Sequence, residues 1–128
     1  MDNYEELKNK YPDMFGNVRC GYSAPEGWSG VINELSEKLN TICEKTGVKI
    51  NVSQVKEKFG CLRFYIDIKS NKETEWTSPF IHAIINRYES QCWRICQSCG
   101  EYGHPYGGDY RATLCEKHGA ERKLTKLD

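Results

Sequence analysis

The chain has 128 residues with 18 basic and 18 acidic side chains, so its formal net charge is zero at pH 7. A neutral chain has no global field that draws it to long nucleic acid or to an anionic membrane. No apolar run approaches the roughly 20 residues of a membrane-spanning helix. The cysteine count is odd, at seven, and the charged stretch from Asp2 to Glu6 does not resemble an export signal. We therefore expect one reduced, cytoplasmic domain.

The N-terminal third is predicted to be two helices separated by a loop. Residues 4–15 resemble a short helix that Pro12 ends or frays. Residues 16–28 are rich in glycine and proline and predict a loop. Ser29 is a candidate N-cap for a helix that reaches Thr46 and is followed by Gly47 at the C′ position. The apolar stripe of this helix is formed by Val31, Ile32, Leu35, Leu39, Ile42 and Cys43.

After residue 47 the hydrophobic period changes from 3.6 to 2. The segments 48–54 and 62–68 alternate apolar and polar residues, and the turn between them is predicted to run from Lys56 to Gly60. This pattern is typical of a β-hairpin with one buried face. Because a lone hairpin is only marginally stable, it must pack on helices or on further strands.

A last long helix is predicted after the polar loop 69–77. Ser78 is its candidate cap, and Pro79 suits the first helical position. Its apolar stripe comprises Ile81, Ile84, Ile85, Tyr88, Cys92 and Ile95. Since this helix leads directly into a metal-binding motif, we divide the chain into an α+β body, residues 1–91, and a docked zinc-binding unit, residues 92–128.

The metal-binding motif consists of two closely spaced pairs of ligand residues. Cys96-x2-Cys99 is followed, after fifteen residues, by Cys115-x2-His118. Zinc takes four such ligands at roughly 2.0–2.3 Å, and a two-residue gap lets one tight turn offer both members of a pair. Gly100 suits a zinc knuckle whose backbone must reach positive φ. Three thiolates and one imidazole close the shell, so we predict one structural Zn²⁺ per chain.

Two alternatives remain open for this motif. His104, in the glycine-rich loop 103–108, is an alternative to His118 as the fourth ligand. Cys92 is a spare thiol whose helical spacing favours a core position. The helix-forming run after Cys115 favours a treble clef, in which one ligand pair lies on a knuckle and the other at a helix start; a zinc ribbon with two knuckles is the second choice. The roles of Cys20, Cys43 and Cys61 are not indicated by the sequence.

Three blocks of sequence together resemble a family of small, uncharacterised proteins of bacteriophages and prophages. These blocks are Gly27-Trp28 at the start of a helix, the segment 54–65 (QVKEKFGCLRFY), and the C-terminal CxxC…TLCxxH motif. They occur here in the order of that family and cover about residues 11–118. The resemblance implies a bacteriophage setting, and therefore the cytoplasm of a bacterial host, but no mechanism. Many family members have tryptophan near the TLC element, where this chain has residues 107–111 (GGDYR).

The hairpin carries more basic and aromatic residues than a scaffold needs. Lysines near its tip can protect a strand edge from unwanted pairing. The alternative is a ligand-binding site of Lys56, Lys58 and Arg63 for phosphate, with Phe59 and Tyr65, or Trp76, as stacking surfaces. A patch of this size suits a nucleotide or a short oligonucleotide better than a long duplex.

Four functional hypotheses follow. The first is a non-enzymatic, zinc-stabilised phage protein that acts against host defence, by binding a defence protein or its nucleotide signal. The alternative is a nucleic-acid-binding zinc-finger protein, although the zero net charge argues against strong nonspecific affinity. A metal-dependent nuclease is a weaker hypothesis, because it needs a second, open metal site with a general base. A structural role in the virion is the fourth. Tyr102, Tyr106 and Tyr110 are candidates for a partner surface or for covering the metal.

Overall fold

The structure is a computed structural model that describes residues 2–69 and 75–128. In chain order, the elements are α1 (Asn3–Lys10), α2 (Pro12–Phe15), β1 (Tyr22–Ser23), α3 (Ser29–Thr46), β2 (Ile50–Lys58), β3 (Cys61–Ile68), α4 (Thr77–Gln91), β4 (His104–Gly107), β5 (Ala112–Leu114), α5 (Glu116–Glu121) and β6 (Thr125–Lys126). Short 3₁₀ turns, Glu26–Trp28 and Cys92–Arg94, precede α3 and follow α4. The predicted α+β class is confirmed.

The predicted hairpin is present, and it belongs to a three-stranded mixed sheet of order β1-β2-β3. β2 and β3 are antiparallel, whereas the two-residue strand β1, inside the predicted loop 16–28, pairs with β2 in parallel. The predicted turn was too long, because β2 continues to Lys58 and only Phe59 and Gly60 form the turn. Both have positive φ, 55° and 84°, as a two-residue turn matched to the strand twist requires.

The buried face of this sheet is covered by helices. Phe15 of α2 contacts Phe64 edge-on, with ring centroids 6.4 Å apart. A register shift between Val52 and Gln54 turns both Val52 and Val55 into the core, although they are three residues apart. Trp28 and the stripes of α3 and α4 complete one hydrophobic core.

Three helix starts differ from the sequence predictions. The segment 4–15 is divided at Tyr11 into α1 and α2. Ser29 is the first residue of α3, and the cap position before it is taken by Trp28 without a side-chain hydrogen bond. Ser78 and Pro79 both lie inside the first turn of α4, which begins at Thr77. Of the predicted loop 69–77, residues 70–74 lie outside the described part of the chain.

Glu89 on α4 accepts a hydrogen bond from the edge strand β3 of the sheet. Its carboxylate accepts a hydrogen bond of 2.9 Å from the backbone N–H of Phe64 in β3. Burial raises the pKa of the Glu89 carboxyl group, while this hydrogen bond and the charges of Arg63 and His82 act in the opposite direction. Neutralising Glu89 is therefore easier in the folded chain than in an exposed peptide.

The C-terminal part forms a second, smaller cluster. Its sheet has the order β5-β4-β6 and is antiparallel. Cys96, Tyr106, Ala112 and Leu114 are the buried residues of its hydrophobic cluster. The assignment of residues 92–128 to a separate docked unit stays a prediction, but the contacts between this part and residues 2–91 are specific.

Besides the packing of Cys92 in the main core, hydrogen bonds between described residues join the C-terminal part to the body at two places. At the first, the Gly27 N–H donates to the carbonyl of Gln97 at 2.9 Å, and the Trp28 indole N–H donates to the carbonyl of Ile95 at 2.8 Å. At the second, the buried Thr113 hydroxyl donates to the carbonyl of Gly60 at 2.8 Å. The Gly27-Trp28 and Phe59-Gly60 motifs therefore both hold the C-terminal unit.

Within the two described ranges, no helix combines the length and the apolar character needed to cross a bilayer.

Candidate metal centre

The four predicted metal ligands lie together. One donor atom each from Cys96, Cys99, Cys115 and His118 falls within 4.8 Å of the others. His118 Nδ1 lies 3.1 Å from the Cys115 sulfur and 3.6 Å from that of Cys96, and the sulfurs of Cys99 and Cys115 are 3.9 Å apart. Ligands about 2.0–2.3 Å from a central ion are expected at such mutual distances. The cluster could therefore hold a metal ion such as zinc.

The first ligand pair is on a knuckle. The Gly100 N–H donates to the Cys96 carbonyl at 2.9 Å, and the Cys96 N–H donates to the Glu101 carbonyl at 2.7 Å. Gly100 has φ 80°, the left-handed conformation that its position after the second cysteine predicts. The turn aims both sulfurs in one direction.

Backbone amides favour the thiolate form of Cys96. Burial by itself would raise the pKa of this thiol, but backbone N–H groups of Cys115, Cys99 and Ser98 donate to its sulfur and lower the pKa to about 6. Since the thiolate is the form that binds metal, the backbone of the knuckle and of the opposite ligand pair prepares the site for a cation.

The second ligand pair is at the start of a helix. Cys115 is the N-cap of α5, and its sulfur accepts from the His118 N–H at 3.5 Å. His118 lies in the first turn, three residues further on, so its ring is on the same side as the Cys115 sulfur. A knuckle, the hairpin β4–β5 and a helix carrying the second pair follow one another, which is the treble-clef order. The ribbon alternative, with a second knuckle, does not describe this site.

The donor set fits zinc. Three sulfurs and one imidazole nitrogen form a tetrahedral set typical of structural zinc, and all four positions come from the protein. Neither alternative ligand joins the cluster. Cys92 is fully buried in the main core, where burial raises the pKa of its thiol to about 12. His104 instead lies 3.4 Å from the Asp128 carboxylate and contacts the Tyr102 ring edge-on.

Four of the hairpin residues predicted to bind a ligand share one face of the sheet. Lys56 lies directly opposite Arg63, and Gln54 opposite Tyr65, so Lys56, Lys58, Arg63 and Tyr65 share the face of the sheet that points away from the core. The side chain of Phe59 is at the tip and is 72% exposed. Trp76, also 72% exposed, lies at the start of α4 beside Phe80 and α3, and it belongs to a different surface.

A groove lies between the hairpin tip and the zinc-binding unit. It has a volume of about 740 Å³, and the hairpin contributes Phe59, Gly60, Cys61 and Arg63 to its wall. The other wall comes from the C-terminal part and includes Trp93, Asp109, Tyr110 and Arg111. Trp93 and Arg111 were not predicted from the sequence as partners of the hairpin. The basic residue Arg111 in the segment 107–111 (GGDYR) was the available signal.

Comparison of the chain with family models, with curated proteins and with solved structures finds no match. The likeness to phage proteins therefore rests on the sequence blocks alone.

Proposed function

We propose that this protein is a non-enzymatic binding protein whose C-terminal unit is held in place by one structural zinc ion. The observation that supports it is the closed donor set of Cys96, Cys99, Cys115 and His118. A zinc ion with three thiolate ligands and no open position is a poor Lewis acid, and its contribution is folding free energy.

The location of the site supports the same proposal. The two body motifs that resemble the phage family, at Gly27-Trp28 and Phe59-Gly60, make hydrogen bonds to the zinc-binding unit. Zinc then fixes the position of the C-terminal wall of the groove relative to the hairpin. A metal used in this way shapes a recognition surface and takes no part in a reaction.

The nuclease hypothesis has no comparable support. It needs a second metal site with an open position and a nearby general base. The ring of His82 contacts Ser78, and His104 faces Asp128. Among residues 2–69 and 75–128, Cys96, Cys99, Cys115 and His118 form the one group of three or more potential metal ligands.

The biological setting is part of the proposal. From the resemblance of the three sequence blocks, we place the protein in bacteriophage biology and in the cytoplasm of the bacterial host. Its partner there is a host defence protein or the nucleotide signal of such a system.

Nucleic-acid binding is a second candidate function, and one observation favours it. Lys56, Lys58 and Arg63 share one face of the sheet with Tyr65, and Phe59 projects from its tip. Cations that contact the backbone and aromatic rings that stack on bases are the usual parts of a single-strand surface.

Two measurements on the full chain test the proposal. Native mass spectrometry of protein purified without added metal should give one zinc per chain. A nuclease assay with plasmid and single-stranded DNA in Mg²⁺, Mn²⁺ or Zn²⁺ should give no cleavage. Absence of zinc would contradict the structural-metal part, and cleavage that Cys115→Ser abolishes would contradict the non-enzymatic part.

A gel-shift titration separates the two candidates. If the nucleic-acid candidate is correct, single-stranded oligonucleotides should bind, and the affinity should fall steeply between about 50 and 200 mM salt. No binding to oligonucleotides at the lower salt concentration would leave the first candidate as the proposal.

A further inference from the structure

The groove between the hairpin and the zinc-binding unit has the size and lining of a small-molecule site. Its volume of about 740 Å³ is within the range of roughly 300–1,000 Å³ that is usual for ligand pockets. Its walls come from two distant parts of the chain, residues 59–63 and residues 93–127. A cleft of this kind suits a compact ligand rather than a helix or a duplex.

The charges in the groove favour an anion. Arg63 and Arg111 both line it, and among the described residues neither makes a salt bridge or a side-chain hydrogen bond. Asp109 is the acidic residue of the lining, which leaves the lining with one net positive charge. The Lys58 ammonium group adds a further cation beside the rim, 5.9 Å from the centre of the Phe59 ring. Arg63 lies near enough to Glu89 for its charge to act on the pKa of that carboxyl group, but neither guanidinium group is held in a salt bridge within the described residues. Guanidinium groups of this kind are suited to phosphate oxygens.

The aromatic side chains of the groove favour a flat ligand. Phe59, Trp93 and Tyr110 are 72%, 56% and 47% exposed. Large aromatic rings exposed from opposite walls of one cleft offer stacking surfaces to a planar ring system. The Asp109 carboxylate is an acceptor for hydroxyl or amino groups of the same ligand.

From this combination we propose that the groove binds a nucleoside phosphate. Arg63 and Arg111 contact its phosphate groups, and the base stacks on Trp93 with Phe59 or Tyr110. This inference rests on the proposed binding function and deepens it. It names the ligand class, and it places the site in the groove instead of on the face of the hairpin. Of the hairpin residues predicted from the sequence, Phe59 and Arg63 belong to the site, Lys58 lies at its rim, and Lys56 and Tyr65 lie outside the lining.

The test is a thermal-shift and calorimetric titration of the zinc-loaded chain. The probes are adenosine and guanosine 5′-mono-, di- and triphosphates, the corresponding pyrimidine nucleotides, and cyclic mono- and dinucleotides. Adenosine and inorganic phosphate are the matched negative probes. We expect at least one nucleotide to raise the melting temperature by roughly 5–15 °C at a hundredfold excess over its Kd. Neither adenosine nor phosphate should reproduce that shift.

Variants locate the binding. Arg63→Gln and Arg111→Gln should each weaken the nucleotide roughly tenfold or more, because each removes charge-assisted hydrogen bonds. Arg87→Gln is the matched control, since Arg87 is exposed on α4 and is not part of the groove lining. The fold of each variant is checked by its zinc content and by its melting temperature without ligand.

Tryptophan fluorescence gives an independent readout. The chain has three tryptophans; Trp28 is buried, whereas Trp93 and Trp76 are exposed on different surfaces. Nucleotide binding should quench the emission in the wild type and in Trp76→Phe, but not in Trp93→Phe.

Each other outcome overturns the inference. If no nucleotide binds a chain that holds one zinc, the groove is not a nucleotide site, although the structural-zinc proposal stands. If the chain holds no zinc, the proposed function itself fails. Equal binding of adenosine removes the role of the arginines, and equal binding of inorganic phosphate removes the role of the aromatic rings. If oligonucleotides bind and nucleotides do not, the groove belongs to a nucleic-acid-binding surface, as in the second candidate function.

Discussion

Gly27→Ala tests the close contact between Gly27-Trp28 and the knuckle that begins at Cys96. A Cβ atom at position 27 would lie 2.6 Å from the carbonyl oxygen of Gln97 and still closer to that of Cys96. Both neighbours are backbone atoms of the zinc knuckle, so no side-chain rotation can relieve the clash. The knuckle would have to move away from the body, and the hydrogen bonds from Gly27 and Trp28 across the contact would be broken.

The expected cost follows from these contacts. Overpacking against a rigid neighbour costs about 1–3 kcal/mol, and each lost hydrogen bond costs about 0.5–1.5 kcal/mol. Together they give about 4 kcal/mol, a large fraction of the roughly 5–15 kcal/mol by which a domain is usually stable. For a chain of this size, we expect the melting temperature to fall by roughly 15 °C.

The matched control is three residues away. A Cβ atom at Gly30, in the first turn of α3, would meet nothing within 4 Å apart from its chain neighbours and the backbone of its own helix. Gly30→Ala should therefore be neutral or stabilising by up to about 1 kcal/mol, because alanine favours the helix. Both variants are compared by thermal and urea unfolding, followed by circular dichroism, at equal zinc content. Melting temperatures within about 2 °C of each other would refute the close approach of Gly27 to the knuckle.

Three further perturbations test the metal, the second docking contact and the sheet edge. Cys115→Ser should lose zinc and unfold at a lower temperature. The control is Cys20→Ser, because Cys20 is an exposed thiol outside the cluster, and this variant should keep one zinc by elemental analysis. Full zinc content in both variants would exclude Cys115 as a ligand. Thr113→Val should cost about 1–2 kcal/mol in urea unfolding because it leaves a buried carbonyl without its donor, and no measurable loss would remove this contact from the docking surface. The pKa of the Glu89 carboxyl group is raised in the folded chain. The stability that this shift contributes is therefore full at pH values below the ordinary glutamate pKa, and it is lost as the pH rises through the raised pKa of the folded state. The free energy of unfolding of Glu89→Gln should lack that decline with pH. Superimposable wild-type and variant profiles would show that the pKa of Glu89 is not raised in the folded chain.

The candidate metal-binding cluster was predictable from the sequence because its geometry is local. Cys96 and Cys99 are bridged by one turn, as are Cys115 and His118, so the spacing itself reports the two half-sites. The long helices and the hairpin were predictable for a similar reason, because the hydrophobic period is a property of neighbouring residues.

The predictions were wrong where contacts between residues distant in the sequence determine the local structure. β1 has only two residues and no periodic pattern, and it is a strand because β2 lies alongside it. The shift at Ser53, which carries the buried face from Val52 to Val55, occurs where β2 pairs with β3 and packs against α2. The intrinsic strand propensity of a residue reflects neither its pairing with another strand nor its packing against a helix.

The sequence by itself therefore determined the donor set, the α+β class and the basic character of the hairpin. Only the tertiary structure decided that Gly27 and Gly60 are the points where the zinc-binding unit contacts the body. It also decided that Trp93 and Arg111 share a groove with Phe59 and Arg63, across some thirty to fifty positions of sequence. The physical reason is that spacing encodes contacts within a turn of chain, whereas a site between two units depends on how closely their backbones can approach.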